Sequence, residues 1–174
     1  MKRTFMWLLL LVFNLHLLVA FESGISIGVF DANLTSESFD RGTHVQIGAI
    51  RGLSQNLEGE VFAIVKATEI PGEQVYAGGG VSLALLSPVY AKEGANVPSY
   101  SNAYVSAGFL LDALGASSYG PYIRITPISV GGPQFKLRER TLTFGLYWDV
   151  PKNAISLFWN LFSLDFFFSG SKNH

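Results

Sequence analysis

A chain of 174 residues is the right length for one domain. Charged residues make up only 14% of it, against 49% hydrophobic; an average globular chain carries about 25% charged residues, so a richly solvated surface is in short supply. The formal net charge is −1, and the one basic run, 136–140 (KLRER), is interrupted by Glu139, which argues against a nucleic-acid partner. The absence of cysteine excludes disulfides, thiolate metal sites and a lipid-modified cysteine.

The N-terminus carries Lys2 and Arg3, then an apolar run over 6–20 that Asn14 and His16 interrupt and that ends in Leu18, Val19 and Ala20. A basic start, an apolar middle and a small-residue end predict a secretory signal peptide over 1–20, cleaved near Ala20. The run is short of the ~20 residues that a spanning helix needs, which disfavours a membrane anchor.

Beyond residue 20 the pattern is alternation with a period of two, the mark of half-buried strands. In 24–32 Ile25, Ile27 and Val29 share a face; in 43–53 Val45, Ile47 and Ala49 do. Over 55–67 Leu57, Val61, Ala63 and Val65 oppose Glu58, Glu60 and Lys66. The stretch 75–86 (VYAGGGVSLALL) sets Val75, Ala77, Val81, Leu83 and Leu85 against Tyr76, Gly78, Gly80, Ser82 and Ala84. In 102–113 Val105, Ala107, Phe109 and Leu111 oppose Tyr104, Ser106 and Gly108; in 118–130 Ile123 and Ile125 oppose Tyr122, Arg124 and Thr126. In 141–150 Leu142, Phe144, Leu146 and Trp148 oppose Thr143, Gly145 and Tyr147. The last segment, 154–168, is apolar on both faces, and its frame slips near Ser163, as a bulge would cause. Turn signals at 53–56, Pro71-Gly72, 94–98, 115–118, 131–133 and 151–153 separate the runs. Eight strands of about the 9–11 residues that cross a bilayer when tilted predict an all-β, eight-stranded antiparallel up-and-down transmembrane barrel over 21–168, with a tail at 169–174.

Which face is wet decides between a soluble and a membrane barrel. The faces opposite the apolar ones hold few charges and many small residues, which suits the narrow, filled interior of an eight-stranded barrel. Gly78, Gly80 and Ser82 then read as clearance inside the lumen, with Tyr104, Tyr122, Arg124 and Tyr147 leaning into the space. Glu58, Glu60, Arg124 and Glu139 are expected in the lumen as a paired network, because unpaired buried charges are costly; the same residues could line a gate. Arg138 and Arg140 share the parity of Leu142 and are expected on the lipid side, close to headgroups. Tyr119, Tyr147, Trp148, Trp159 and the phenylalanines of 166–168 sit near strand ends, as interfacial girdles do.

Catalytic motifs are missing. The glycine run lacks the Gly-Lys-Ser/Thr of a phosphate loop, no Gly-x-Ser-x-Gly occurs, and no His, Asp and Glu cluster has metal-ligand spacing, so no cofactor is expected. His44, with Asp31 and Asp40 near it in sequence, is the one candidate for acyl-transfer or deacylase chemistry at the rim of the lumen.

An apolar leader, eight alternating strands and an aromatic-rich last strand resemble the small outer-membrane barrels of the OmpA, OmpX and OmpW type. The stretches TPISVGGPQFKLRERTLTFGLYW and WNLFSLDFFF are similar to small surface barrels of spirochaetes. The resemblance implies a monomeric protein of the outer membrane of a diderm bacterium, with membrane lipid as its surroundings and the outer-membrane assembly machinery reading an aromatic end, here Phe166 and Phe168 ahead of the tail. It also implies both termini and short turns on one side and long loops on the other, from which the long 87–101 connection and the short 115–117 and 151–153 turns depart. The expected role is non-enzymatic: structural, binding, or passage of small apolar solutes. The alternatives are a lipid-modifying enzyme and a soluble lipocalin-like periplasmic carrier.

Overall fold

Alternation of side chains about an extended backbone builds eight strands in the computed structural model, which describes residues 22–32, 42–66, 75–90, 101–115 and 117–168. They are β1 (Ser23–Ala32), β2 (Gly42–Gly52), β3 (Leu57–Lys66), β4 (Val75–Ala84), β5 (Ser101–Asp112), β6 (Tyr119–Gly132), β7 (Leu137–Asp149) and β8 (Ala154–Phe168). Each pairs antiparallel with its neighbour in sequence, and β1 pairs with β8, so the sheet closes into an all-β, up-and-down barrel with no free edge. The expected frames hold to within two residues except in β7, which starts at Leu137 rather than Thr141. The 1–20 leader and the 169–174 tail lie outside the described residues.

From β1 to the middle of β6 the even-numbered residues face inward. That parity then changes. In β6, Arg124 and Thr126 are buried, Pro127 and Ile128 are both exposed, and Ser129 is buried. In β7 the switch falls at Thr141 and Leu142, where Leu142 takes a left-handed φ of 56°. In β8, Leu161 and Phe162 are consecutive exposed residues. The three slips lie in one row, since Ile128 pairs with Thr141 and Thr141 with Phe162. The row ends in register shifts at the two bordering strands, between Asn102 and Tyr104 of β5 and between Val29 and Phe30 of β1. An extra residue in one strand of a closed sheet must be matched or absorbed by its neighbours, and β6, β7 and β8 match it together. Asn160 Oδ1 accepts the Phe162 N–H at 2.9 Å, and Pro127 brings no N–H to satisfy.

The two ends of the barrel differ. The end that holds the start of β1 and the end of β8 carries the 53–56 turn, the 85–100 connection and a short 3-10 turn over Pro133–Phe135. The long connection does more than join strands. Its residues 85–90 fold back beneath the barrel, with the Val89 and Tyr90 amides donating to Gln55 O at 2.8 and 3.0 Å and Asn102 Nδ2 donating to Ser87 O at 2.8 Å. Val89 and Tyr90 are buried against Ala84 and Tyr104 and close this mouth. Toward the other end, Phe62, Ile64, Tyr76, Leu110, Tyr122, Tyr147 and Phe158 form an apolar layer across the lumen.

Candidate functional site

The interior is organised in cross-strand rows. Register lines up Tyr122 of β6, Gly108 of β5, Gly80 of β4 and Glu60 of β3. A Cβ on Gly80 would collide with the Ala107 carbonyl oxygen and lie 2.5 Å from the Tyr122 hydroxyl, and one on Gly108 would lie 2.7 Å from the same hydroxyl. The two glycines therefore form a floor over which the Tyr122 ring reaches across two strands and donates to Glu60 Oε1 at 2.8 Å. The next row runs Arg124, Ser106, Ser82, Glu58, and here too the middle residues are small, their hydroxyls bonded at 2.7 Å. Gly78 gives the same clearance to Phe62, whose Cζ lies 2.6 Å from where its Cβ would be. Large side chains thus lie over small ones on adjacent strands, rather than filling space from the opposite wall.

Among the described residues, three arginines and three carboxylates occupy the lumen between the mouth closed by Tyr90 and the apolar layer. Arg138 is wholly buried and donates to Glu58 Oε1 at 2.8 Å and Oε2 at 3.0 Å, to Asp165 Oδ2 at 2.7 Å and to the Tyr104 oxygen at 2.7 Å. Its guanidinium lies 4.8 Å from the centre of the Tyr104 ring and 5.1 Å from that of Phe167. Arg140 donates to Asp165 Oδ2 at 2.7 Å and to Glu58 Oε1 at 3.2 Å, and comes within 3.9 Å of Glu60. Arg124 pairs with Glu60 and rests between Phe62 and Tyr122. Tyr90 donates to Glu58 Oε2 at 3.4 Å. Since β3 and β7 stand four strands apart in an eight-stranded ring, the Arg138–Glu58 fork braces the barrel across its diameter. Equal numbers of opposite charges in reach of one another keep the buried network neutral, the condition under which such burial is tolerated.

Glu58, Glu60 and Arg124 are thus brought together as the alternation predicts, but two placements are corrected. Glu139 lies exposed on the outer wall, where Thr141 Oγ1 donates to it at 3.4 Å. Arg138 and Arg140, expected outside, are the heart of the lumen network. The cause is the parity change at Leu142: counting back from Leu142 through an unbroken strand puts every residue of 137–140 on the wrong face. Tyr147, placed by sequence both in the lumen and in a girdle, belongs to the lumen, fully buried and bonded at 2.9 Å to the Ser118 hydroxyl. Asp165 and Tyr90 were missed. Asp165 sits beyond the slip in β8, and Tyr90 comes from a connection that carries no strand pattern.

His44 is buried on the inner face of β2. The side chain of Asp31 and all of Asp40 lie outside the described residues, so the proposed partnership with His44 does too. Among the described residues, no group of three or more His, Asp or Glu side chains could hold a metal ion.

The outer wall is the inverse of the lumen. Every strand with described side chains contributes exposed aliphatic or aromatic residues to it: Ile27, Ile47, Val61, Val81, Phe109, Ile123, Phe144 and Leu157 all keep two fifths or more of their surface open, with Phe144 at 52%. Near the end away from the termini, Phe109 stacks on Tyr119 with ring centres 6.2 Å apart, and Trp148 is exposed; near the termini Phe166 and Phe168 are exposed while Phe167 turns inward. No protein-family model matches this chain, and no curated protein does.

Proposed function

We propose that the chain is a non-enzymatic, integral membrane barrel of the outer membrane, exported by its N-terminal leader, with lipid against its outer wall and a sealed structural core in its lumen. One observation carries the reading: the apolar faces of the strands point outward around the barrel while the arginines, carboxylates and hydroxyls point inward. Water-exposed apolar surface of that extent is unfavourable, at roughly 25 cal/mol per Å². A bilayer removes the penalty, and a closed barrel leaves no backbone group unpaired in lipid. A soluble lipocalin-like carrier has the opposite need, an apolar cavity within and a charged skin without. The strands, 10 to 15 residues long, reach across a hydrocarbon core at the usual tilt. The filling of the lumen by large side chains and paired charges favours binding or partner contacts on the outer wall and the loops over a conduit, so passage of solutes is the weaker part of this reading.

The test is the state of the protein with and without detergent. The chain should stay in the membrane after an alkaline wash, and unheated samples should migrate differently from heated ones in detergent gels. A folded, monomeric protein in plain buffer would overturn the reading.

A further inference from the structure

Two buried polar atoms in the lumen complement one another. Gln46 of β2 and Arg124 of β6 are both more than nine-tenths buried, and neither Gln46 Oε1 nor Arg124 Nε has a protein hydrogen-bond partner. Buried polar atoms are seldom left so, because each forgoes the bonds it makes in water. Both residues line one small cavity of about 10 Å³, otherwise walled by the apolar Phe62, Ile64, Leu110 and Phe158 and by Tyr122, whose hydroxyl already donates to Glu60. A space of roughly 10–15 Å³ holds one water molecule. A cation there would be repelled by Arg124, and an anion would face Glu60, which pairs with Arg124. A neutral molecule that both donates and accepts fits the pair. If the Gln46 amide is turned over, water still fits, since it accepts from an N–H as readily as it donates to a carbonyl.

We propose that one resident water molecule occupies this cavity, accepting from the Arg124 Nε–H and bonding to the Gln46 amide. β2 and β6 are four strands apart, as β3 and β7 are. The water is then a second brace across the barrel diameter, set on the far side of the charge network from the Arg138–Glu58 fork. It also completes the shell of Arg124, whose other contacts go to Glu60 and the flanking rings.

The experiment is nuclear magnetic resonance of the labelled chain in detergent micelles, with water as the probe. The Arg124 Nε–H signal is assigned by its loss in Arg124→Lys. A rotating-frame Overhauser transfer from water to that proton, of opposite sign to proton exchange, is expected in the unaltered chain. It should fall to background in Gln46→Met, which keeps the length of the side chain but removes the amide, while the Arg124 signal itself remains. No transfer in the unaltered chain, or equal transfer in Gln46→Met, overturns the proposal. Should Gln46→Met fail to fold, a crystal structure of the unaltered chain decides: one water peak within about 3 Å of both atoms upholds the brace, and a direct Gln46–Arg124 bond or an empty cavity refutes it.

Discussion

Arg124 and Arg138 share the lumen, yet each has its own main acid: Arg124 pairs with Glu60, and Arg138 forks onto Glu58. Removing one partner of a buried pair strands the other charge and costs about 3–5 kcal/mol, whereas removing both can be close to neutral. Arg124→Met should therefore lower the unfolding free energy by about that amount, and adding Glu60→Gln should restore part of the loss. Adding Glu58→Gln should restore less, because it removes the fork from Arg138 and leaves Arg138 and Arg140 to share Asp165. Urea titrations in detergent read the three variants, and equal rescue by either glutamine would refute the division of the network into these pairs. Arg138 invites a stricter test. Its Nε and both Nη groups are used at once, by Asp165, Glu58 and Tyr104. A lysine offers one ammonium in place of that planar fork. Arg138→Lys should lose more than half of what Arg138→Met loses, in the same titration, although it keeps the charge. Near-complete recovery by lysine would mean that charge alone, and not geometry, holds the site.

At the scale of the strand, glycine positions report where a neighbour lies down. A side chain on Gly80 would meet both the Tyr122 hydroxyl and the Ala107 carbonyl, so Gly80→Phe should prevent folding, while Leu83→Phe, exposed on the outer face of the same strand, should be tolerated. The folded fraction from the heat-dependent gel shift measures both, and equal tolerance would reject the assignment of faces. This much was legible in sequence because a period of two assigns faces without knowledge of the partner strands. The row of slips was not. Its signs are present: Ile123 and Ile125 are odd-numbered, Ile128 and Val130 even, with Pro127 between them. Read singly, each such shift passes for noise, and only the pairing of Ile128, Thr141 and Phe162 shows them to be one feature. That is why the alternation puts Arg138 and Arg140 on the wrong face and gives no sign of Asp165. The same feature predicts an asymmetry among leucines of β7. Leu142 holds a left-handed φ that costs an L-residue about 1–2 kcal/mol and glycine nothing. Leu142→Gly should thus destabilise the barrel less than Leu146→Gly does, by about 1 kcal/mol in urea. A larger loss at Leu142 would show that its side chain, and not its backbone, is what the row requires.

Over the whole molecule the lumen is closed twice by different chemistry. Near the termini, Val89 and Tyr90 are pinned under the barrel by backbone bonds to Gln55. Toward the other end, aromatic and aliphatic side chains fill the section from Phe62 to Phe158, and the neutral charge network lies between the two. Sequence showed the long 87–101 connection only as a misfit to short turns on the terminal side; its folding back as a closure depends on Gln55 and Asn102, which no periodicity marks. Closure in series has a measurable consequence. If either layer is sufficient, weakening one leaves the other in place, so ions do not pass. The unaltered chain in a planar lipid bilayer should carry current close to the bare-membrane baseline. Phe62→Ala combined with Phe158→Ala opens space in the apolar layer without stranding a charge, and this variant should stay at baseline too, because Tyr90, Arg138 and Glu58 still span the section below. The heat-dependent gel shift verifies that the variant is folded before current is measured. Steady current in the unaltered chain would show that the lumen is a conduit. Steady current in the folded double variant alone would show that the aromatic layer is the only seal and that the charged layer and the Tyr90 closure are permeable.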